Sequence, residues 1–326
     1  MVRLSDSPRS TPALRVLVVT AMYPHRAKPA HGVFIQQQVD SLRARGHQVD
    51  VLHFRGYRSS LLYLLAAARV IWKTISTPYD VVHAHFGLTG LASLVRWRVP
   101  LVLTLHGSDV LGKRFQRLAS KIAARGARRV IAVSPEISQV IAGDVIPCGV
   151  DMDRFVPLER SRARGQLGLS MGPRLILFPF DPARTEKRYD LARAAVDELR
   201  RRLPNAELWV VHDIANLEMP IHYAAADALL LTSDREGSST SIKEALACNI
   251  PVVTTAVGDA SILLGDQPAH RISKADSISL ADSLLAVIER GRLNDSESRD
   301  LVRKYSMGAV AAAIEGIYFT VAAARR

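Results

Sequence analysis

Short runs rich in β-branched and aliphatic residues alternate along the chain with segments of helical periodicity, and this alternation constrains the fold more than any other feature. In the first half it predicts strands at Val16–Thr20, Gln48–Phe54, Val81–Ala84, Leu101–Leu105 and Val130–Val133, and helices at 33–45, 61–76, 88–97 and 111–126. In the second half it predicts strands at Leu175–Phe178, Leu208–Val211, Ala228–Thr232 and Val252–Thr254, and helices at 188–203, 238–248 and 276–290. Because strands that alternate with helices build parallel sheets with helices on both faces, the fold class expected is α/β.

The length of the chain predicts two domains. Its 326 residues are enough for two units that each bury a core. We expect an N-terminal domain over 14–160 and a C-terminal domain over 172–306, connected through the Arg-, Gly- and Ser-rich stretch 157–173. A final apolar helix at 307–324 is long enough to pack back on the first domain. The expected architecture is two Rossmann-like domains facing a cleft, with ligands bound beyond the carboxyl ends of the strands.

Composition excludes several classes of protein. Hydrophobic residues make up 48% of the chain and charged residues 23%, which is ordinary for a globular protein and excludes disorder. Cys148 and Cys248 are too few for a disulfide framework or a structural zinc site, which favours a reducing compartment. Residues 1–13 lack the pattern of a signal peptide, and the apolar stretch 61–75 is too short and too often interrupted by basic residues for a membrane span. We expect a cytoplasmic protein, free or attached peripherally at the inner face of the cell membrane.

The excess basic charge is confined to one half of the chain. The formal net charge is +12, yet residues 1–165 hold 24 Lys and Arg against 10 Asp and Glu, whereas the remainder holds 19 against 21. The first domain therefore suits an anionic partner. Nucleic acid is disfavoured, because aromatic residues total 6% and are not interleaved with the basic ones. An anionic membrane surface and a phosphorylated substrate remain as candidate partners of the first domain.

The predicted helix at 111–126 is basic and carries a narrow apolar stripe, formed by Leu111, Phe115, Leu118 and Ile122. Such a helix can lie on anionic lipid or hold a phosphorylated acceptor. It can equally be an ordinary helix whose apolar stripe faces the core and whose basic face is solvated. The sequence leaves these interpretations open.

Three weaker motifs argue against a dinucleotide site, a P-loop and a metal site. The first strand–helix loop has one glycine, Gly32, where a dinucleotide fingerprint needs three; at a helix N-terminus it suits an anion or a plain turn. The segment 107–114 nearly matches a phosphate-binding P-loop but ends in Arg114 rather than Ser or Thr. His83 and His85 fall on one face of a buried strand, where hydrogen-bonded structural histidines are favoured over a metal site.

The most specific segment is 233–253, which reads SDREGSSTSIKEALACNIPVV. Glu236 lies in the loop after a predicted strand, and Glu244 lies in the following helix, with seven residues between them. Carboxylates so placed can accept hydrogen bonds from sugar hydroxyls, or serve as a helix-capping residue and a solvated one. The segment resembles the E-x7-E signature of the retaining family-4 glycosyltransferases of the GT-B fold. Further matches lie at Gly46–Val49, Asp80–His85, Val133–Ser134, Ile146–Asp151 and Phe155.

The resemblance spans most of the chain and implies roles for particular residues. Glu244 would hold the ribose hydroxyls of a nucleotide sugar, and Glu236, with Gly237 and Ser238 beside it, would contact the donor sugar. Arg184 and Lys187 would neutralise the diphosphate. Gly32 would lie near that diphosphate and His106 near the transferred sugar. The catalytic set implied is therefore Glu236, His106, Arg184 and Lys187.

The function implied is retaining transfer of a sugar from a UDP- or GDP-sugar donor to a cell-surface glycan or a lipid-linked acceptor, with neither a metal nor a cofactor. Two alternatives stay open. A nucleotide-sugar epimerase of the same fold would need acid and base groups around the sugar that the sequence does not identify. A non-catalytic relative would bind a nucleotide sugar without turning it over.

The chain departs from the family pattern at several positions. Arg184 and Lys187 are three residues apart, whereas the family usually spaces them by five. Cys148 stands where the family has Asn, and Asn249 stands where Gly is common. Only about ten residues separate Val211 from the next predicted helix, so we expect an abbreviated C-terminal domain.

Overall fold

The first half of the chain forms a six-stranded parallel sheet. The computed structural model describes residues 12–56, 59–292 and 295–324. The strands are β1 (Arg15–Thr20), β2 (Gln48–His53), β3 (Val81–His85), β4 (Leu101–Leu105), β5 (Arg129–Ala132) and β6 (Asp144–Val145), in the order β2-β1-β3-β4-β5-β6. The helices are α1 (Val33–Ala44), α2 (Leu61–Ser76), α3 (Gly87–Ala92), α4 (Arg114–Gly126) and α5 (Pro135–Val140), with a 3-10 turn at Ser93–Val95. The predicted α/β class is confirmed.

The second half repeats this plan with five parallel strands. They are β7 (Arg174–Phe178), β8 (Ala206–Val210), β9 (Ala228–Leu231), β10 (Val252–Thr255) and β11 (His270–Ser273), in the order β11-β10-β9-β7-β8. The helices are α6 (Arg160–Gln166), α7 (Tyr189–Leu199), α8 (Met219–Ala225), α9 (Thr240–Ala247), α10 (Ala260–Leu264), α11 (Ser277–Arg290), α12 (Asp295–Arg303) and α13 (Met307–Ala323), with a 3-10 turn at Thr185–Lys187. All nine predicted strands are present, so two Rossmann-like units are confirmed.

The chain crosses between the two sheets twice, and the crossings run side by side. Val150 pairs with Ser306, its N–H donating to the carbonyl of Tyr305 (2.9 Å) and its carbonyl accepting from Met307 (3.0 Å). After the second crossing, α13 packs against α1 and β3. The apolar residues of α13 that face this sheet are buried, and they share a core with residues of β1. The last helix therefore lies on the first sheet.

The segment 157–173 is built into the second sheet's layer of helices. It contains α6, which packs against α8 through Ala163, Ala224 and Ala225. Arg164 is fully buried there and donates to Asp227 (2.6 Å) and to the carbonyl of Ala225 (2.9 Å). A buried arginine that is hydrogen-bonded in this way fixes α6 on the domain.

The apolar stripe of α4 faces solvent, so the interpretation that placed it in the core is wrong. Phe115 and Leu118 each expose 58% of their surface. The reason is close packing of α4 on α3 through small residues: a Cβ at Gly87 would lie 1.9 Å from the Ser120 Oγ atom, and one at Gly90 would lie 3.0 Å from the Ala123 Cβ atom. No helix among the described residues is long and apolar enough to span a bilayer.

Candidate active site

A cleft of about 770 Å³ lies between the carboxyl ends of the strands in the two sheets. This is where ligands bind to folds of this kind. The structure brings all eight predicted site residues into its lining: Gly32, His106, Arg184, Lys187, Glu236, Gly237, Ser238 and Glu244. They come from four loops and helix ends that are far apart in sequence.

Lys187, which is buried, and Glu236, which is partly buried, form an ion pair on the lining of the cleft. Lys187 ends the 3-10 turn after β7, and its Nζ atom donates to Oε1 of Glu236. Its ammonium also lies 4.0 Å from the centre of the Phe180 ring. The Ser233 hydroxyl donates to the same Glu236 oxygen (2.8 Å). Burial lowers the pKa of Lys187, and the Glu236 carboxylate opposes that shift.

Arg184 lies on the rim of the cleft. It is exposed and donates through Nε (2.9 Å) and Nη2 (2.8 Å) to Oε1 of Glu186. Because the turn between them is a 3-10 turn, the three-residue spacing to Lys187 is enough to put both cations on the cleft lining. Arg184 is the solvated member of the pair, and Lys187 is the buried one.

Glu244 is buried in α9 and is the second carboxylate of the cleft. Oε2 accepts from the Tyr223 hydroxyl (2.8 Å), and Oε1 accepts from Nδ2 of Asn216 (3.3 Å). Burial raises the pKa of Glu244 to about 7, although these two hydrogen bonds oppose the shift. Sequence reasoning missed Asn216 and Tyr223. Their signal was positional, since both follow β8 at the carboxyl edge of the sheet.

Gly237 is one of the points at which the two domains touch. A Cβ on Gly237 would lie 2.2 Å from the carbonyl oxygen of His106, and a Cβ on Gly107 would lie 3.0 Å from the Gly237 Cα atom. Real Cβ atoms do not come so close to backbone, so glycine is required there. The loop that carries Glu236 can therefore lie directly against the loop that carries His106.

The hydroxyl of Ser238 uses its whole hydrogen-bonding capacity in contacts with other protein groups. Its hydroxyl donates to Oδ2 of Asp259 (2.7 Å) and accepts from the Cys148 N–H (3.2 Å) and from the Lys243 ammonium. Lys243 is fully buried and also donates to Asp259 (2.9 Å). One donor and two acceptor sites are all that a hydroxyl has. Any contact of Ser238 with a ligand is left to its backbone.

His106 lies on the first domain's side of the cleft, between the rings of Phe34 (centroids 4.9 Å apart) and Phe86 (4.6 Å). Its Nε2 atom is 2.9 Å from Nδ1 of His85. Burial lowers the pKa of His106 to about 3, so it is neutral at physiological pH. Asp109 fixes the loop by accepting from the backbone N–H of His106 (3.0 Å).

His83 and His85 lie side by side on β3, as the sequence predicts, with ring centroids 4.4 Å apart. Both are buried, and His83 is hydrogen-bonded to the hydroxyls of Tyr318 (2.5 Å) and Thr104 (2.7 Å). No cluster of three or more His, Cys, Asp or Glu suited to a metal occurs in the described part of the chain. The favoured interpretation as hydrogen-bonded histidines is confirmed.

Gly32 precedes α1 at the cleft and has a left-handed backbone, with φ 74°. A Cβ there would lie 2.6 Å from the carbonyl carbon of Met22. Both the conformation and the space require glycine. The N-terminus of α1, with its free N–H groups, is consequently held at the wall of the cleft.

Comparison with protein families matches both halves of the chain. The family described as Glycosyltransferase Family 4 matches residues 14–154, and the one described as Glycosyl transferases group 1 matches residues 190–290. The chain is 26% identical to TuaC of Bacillus subtilis (strain 168), a protein named for teichuronic acid biosynthesis, over 83% of this chain and 88% of that one. It is 30% identical to a D-inositol 3-phosphate glycosyltransferase of Actinosynnema mirum, over 62% of this chain and 63% of the relative.

Solved structures share the fold at low sequence identity. A sucrose-phosphate synthase from Thermosynechococcus elongatus superimposes with a TM-score of 0.79 at 18% identity, over 95% of this chain and 100% of that one. HepE from Anabaena, solved with UDP and glucose, superimposes with a TM-score of 0.71 at 18% identity, over 94% and 100%. Both likenesses show the two-domain GT-B fold.

Proposed function

Because the chain belongs to the family-4 glycosyltransferases of the GT-B fold, we propose that it transfers a sugar from a nucleoside-diphosphate donor to a cell-surface glycan or a lipid-linked acceptor, with retention of configuration and without a metal. The binding of a donor is supported by one observation: Lys187, the carboxylates of Glu236 and Glu244, and the N-terminus of α1 all line the same cleft. We favour UDP over GDP as the nucleotide of the donor, supported by the presence of UDP in the HepE structure.

In the proposed reaction, the bond between the anomeric carbon and the β-phosphate oxygen breaks, and its electron pair goes to the phosphate. The acceptor hydroxyl oxygen bonds to the anomeric carbon, and its proton passes to the leaving diphosphate. Lys187, Arg184 and the N–H groups at Gly32 supply positive charge where the leaving phosphate develops negative charge. Because that charge comes from protein groups, the proposal needs no metal.

Each carboxylate has one proposed role. Glu244, buried and facing the cleft, accepts from the ribose hydroxyls, and Glu236 accepts from hydroxyls of the donor sugar. Oε1 of Glu236 is already held by Lys187 and Ser233, which fits an orienting acceptor better than a nucleophile. His106, neutral at physiological pH, lies beside the transferred sugar in this proposal, with its ring nitrogens facing Nδ1 of His85 (2.9 Å) and Sγ of Cys148 (4.0 Å).

The acceptor half of the proposal rests on the surface of the first domain. Helix α4 exposes Phe115, Leu118 and Ile122, and α2, which packs on the other side of α3, exposes Trp72 and Ile75. Basic side chains surround the stripe on α4, where Lys113, Arg114, Lys121 and Arg125 are all exposed. Apolar anchors within a basic rim suit an anionic lipid surface, where a lipid-linked acceptor is held.

The donor half is tested by calorimetry with a panel of UDP- and GDP-sugars, followed by transfer assays with isolated membranes as the source of acceptor. We expect Lys187→Ala, Glu236→Gln and Glu244→Ala to lower donor affinity or turnover by about 30-fold or more, since each removes a charged hydrogen-bonding group worth about 2 kcal/mol or more. Arg193→Ala, an exposed substitution on α7, is the matched control.

Wild-type binding and transfer in all three variants would contradict the proposal. Release of an epimerised sugar from donor alone would identify an epimerase instead. Donor binding without turnover on any membrane preparation would favour a non-catalytic relative.

A further inference from the structure

A second cavity, of about 570 Å³, lies at the opposite edge of the second sheet from the cleft. Arg174, the first residue of β7, and Asp227, which precedes β9, both line it, so it lies at the amino ends of these strands. Arg160 and Arg292 add two more guanidinium groups to the lining. The volume is within the range of small-molecule sites, roughly 300–1,000 Å³.

The Asp227 carboxylate in this cavity has no capacity left. One oxygen accepts from the Leu175 N–H (2.8 Å) and from Arg164 (2.6 Å). The other accepts from Nη1 of Arg160 and from Nη1 of Arg174 (3.1 Å). Four donors occupy all the lone pairs that a carboxylate offers. Asp227 therefore cannot pair with the remaining N–H groups of these arginines.

Glu159, the other carboxylate of the lining, is also committed. It caps α6, accepting from the backbone N–H groups of Ser161 (3.1 Å) and Arg162 (2.8 Å) and from the Ser161 hydroxyl. No further Asp or Glu lines the cavity within the described ranges. All four acceptor sites of Asp227 and three of the four of Glu159 are thus taken up by contacts that hold the fold together.

The arginines that line the cavity have more N–H donors than the nearby carboxylates can accept. Arg160 and Arg174 each make one side-chain hydrogen bond to described residues, out of the five N–H donors that an arginine carries, and both are about one-third exposed. Among the residues that the structure describes, Arg292 donates only to carbonyls, those of Leu158 (3.2 Å), Ala224 and Ala226 (3.0 Å). Burial accordingly lowers the pKa of Arg292, and nearby Arg160 adds to that shift.

We propose that this cavity is a binding site for an organic phosphate. A phosphate would take the free N–H groups of Arg160 and Arg174 and add negative charge beside Arg292, which donates to carbonyls and to no carboxylate among the described residues. Leu158 and Ile288 form an apolar wall for the organic part of the ligand. The site is separate from the donor cleft, and it stands whether or not the proposed transfer reaction is correct.

The cavity also lies beside chain that leads to the two crossings between the domains, which pair at Val150 and Ser306. Arg292, two residues after α11, donates to the carbonyl of Leu158, two residues before α6, and Arg299 on α12 donates to the carbonyls of Phe155 (2.7 Å) and Met152 (2.9 Å). A ligand held by Arg160 and Arg292 would contact the chain on the approach to both crossings, so its binding can affect the arrangement of the domains.

The test is calorimetric titration of the full chain with inorganic phosphate, glucose 1-phosphate and AMP. We expect glucose 1-phosphate or AMP to bind about tenfold more tightly than inorganic phosphate, because only these two can use the apolar wall. Arg174→Gln should weaken that binding about tenfold and Arg174→Glu should abolish it. Thermal unfolding of each variant shows that it is folded.

Two controls locate the binding. Arg193→Glu, a charge reversal elsewhere on the same domain, and Lys187→Ala, in the donor cleft, should both bind the organic phosphate like wild type. Binding that survives Arg174→Glu, binding lost in Lys187→Ala, or no preference over inorganic phosphate would overturn the proposal. Binding of UDP, measured in the same variants, tests the proposed function separately. The proposed function can therefore fail while the phosphate site holds, and the reverse.

Discussion

At the scale of single residues, the buried carboxyl of Glu244 makes the free energy of unfolding depend on pH. Its carboxyl is buried beside Tyr223 and Asn216, and its pKa is raised to about 7 from an ordinary value of 4.5. A folded-state pKa above the unfolded one means that stability is lost as pH rises from about 4.5 to about 7. Above that range the buried carboxylate is ionised, as its proposed contact with the ribose hydroxyls of a donor requires.

This arrangement predicts a pH-dependent donor affinity. If UDP binds the ionised form of Glu244, the dissociation constant should increase about tenfold between pH 8 and pH 6, because the ionised fraction falls from about 0.9 to about 0.1 for a pKa of about 7. Glu244→Gln should bind UDP weakly at both pH values, and it should melt at a higher temperature than wild type at pH 8. Calorimetry and thermal unfolding measure the two effects.

The Gln variant also serves as the control, because the diphosphate's own titration is common to both proteins. His106 does not contribute in this range, since its pKa is about 3. An affinity for UDP that changes equally with pH in wild type and Glu244→Gln would remove Glu244 from the ribose site.

Individual site residues were predictable where they belong to a local motif or match a position of the family pattern. The positions of Glu236, Gly237 and Glu244 follow from one continuous segment, and the structure gathers them on the cleft. Asn216 and Tyr223 have no motif of their own, and their contact with Glu244 depends on how α8 packs beside α9. Nor can the sequence show that the Ser238 hydroxyl is saturated by Asp259, which is 21 residues further along the chain.

At the scale of secondary-structure elements, periodicity identified the buried strands and missed the weak ones. Central strands such as β4 are buried at every position and read as continuous apolar runs. The missed strands are both at sheet edges: β6 has two residues, and β11 contains the exposed Arg271. Helix α6 was missed because its arginines look like a polar connection, although Arg164 is buried.

Helix α4 reverses the usual distribution of large and small residues. Ala119, Ser120 and Ala123 face the domain, where α3 comes too close for larger side chains, and Phe115 and Leu118 are left outside. Large apolar residues cost free energy when they are exposed, so a surface that covers them would be stabilising. The basic residues around them favour an anionic surface.

The α4 surface predicts salt-dependent binding to lipid vesicles. Wild-type protein should co-sediment with vesicles that contain anionic phosphatidylglycerol, and binding should weaken with added salt and on neutral vesicles. Phe115→Gln with Leu118→Gln should reduce binding at least about tenfold, since two partly inserted side chains contribute about 1.4 kcal/mol or more. Ile278→Gln, an equally exposed substitution on α11, should bind like wild type. Binding that ignores salt and lipid charge would refute electrostatic attachment.

At the scale of the whole molecule, several contacts between described residues hold the two domains in register, among them the hydrogen bond from Nη1 of Arg154 to Oδ1 of Asn216 (2.8 Å). The backbone of Gly237 lies against His106, the Cys148 N–H donates to Ser238 (3.2 Å), and Nε2 of Gln37 donates to Oδ1 of Asn216 (3.0 Å). The last contact joins α1 to the residue that also donates to Glu244. The contact between the domains and the Glu244 carboxylate are thereby linked through the amide of Asn216.

That link predicts a more open molecule when Gln37 is replaced. Gln37→Ala removes a single hydrogen bond, worth about 1 kcal/mol, which shifts an equilibrium between closed and open arrangements about fivefold toward open. We expect a larger radius of gyration for the ligand-free variant in small-angle X-ray scattering, and recovery of the wild-type value with saturating UDP. Gln36→Ala, at the neighbouring position on α1, is the control, since the Gln36 side chain makes no hydrogen bond to a described residue. Equal radii for wild type and Gln37→Ala would show that the contacts at Gly237 and Ser238 suffice to hold the domains, and the amide link would then have no part in closing the cleft.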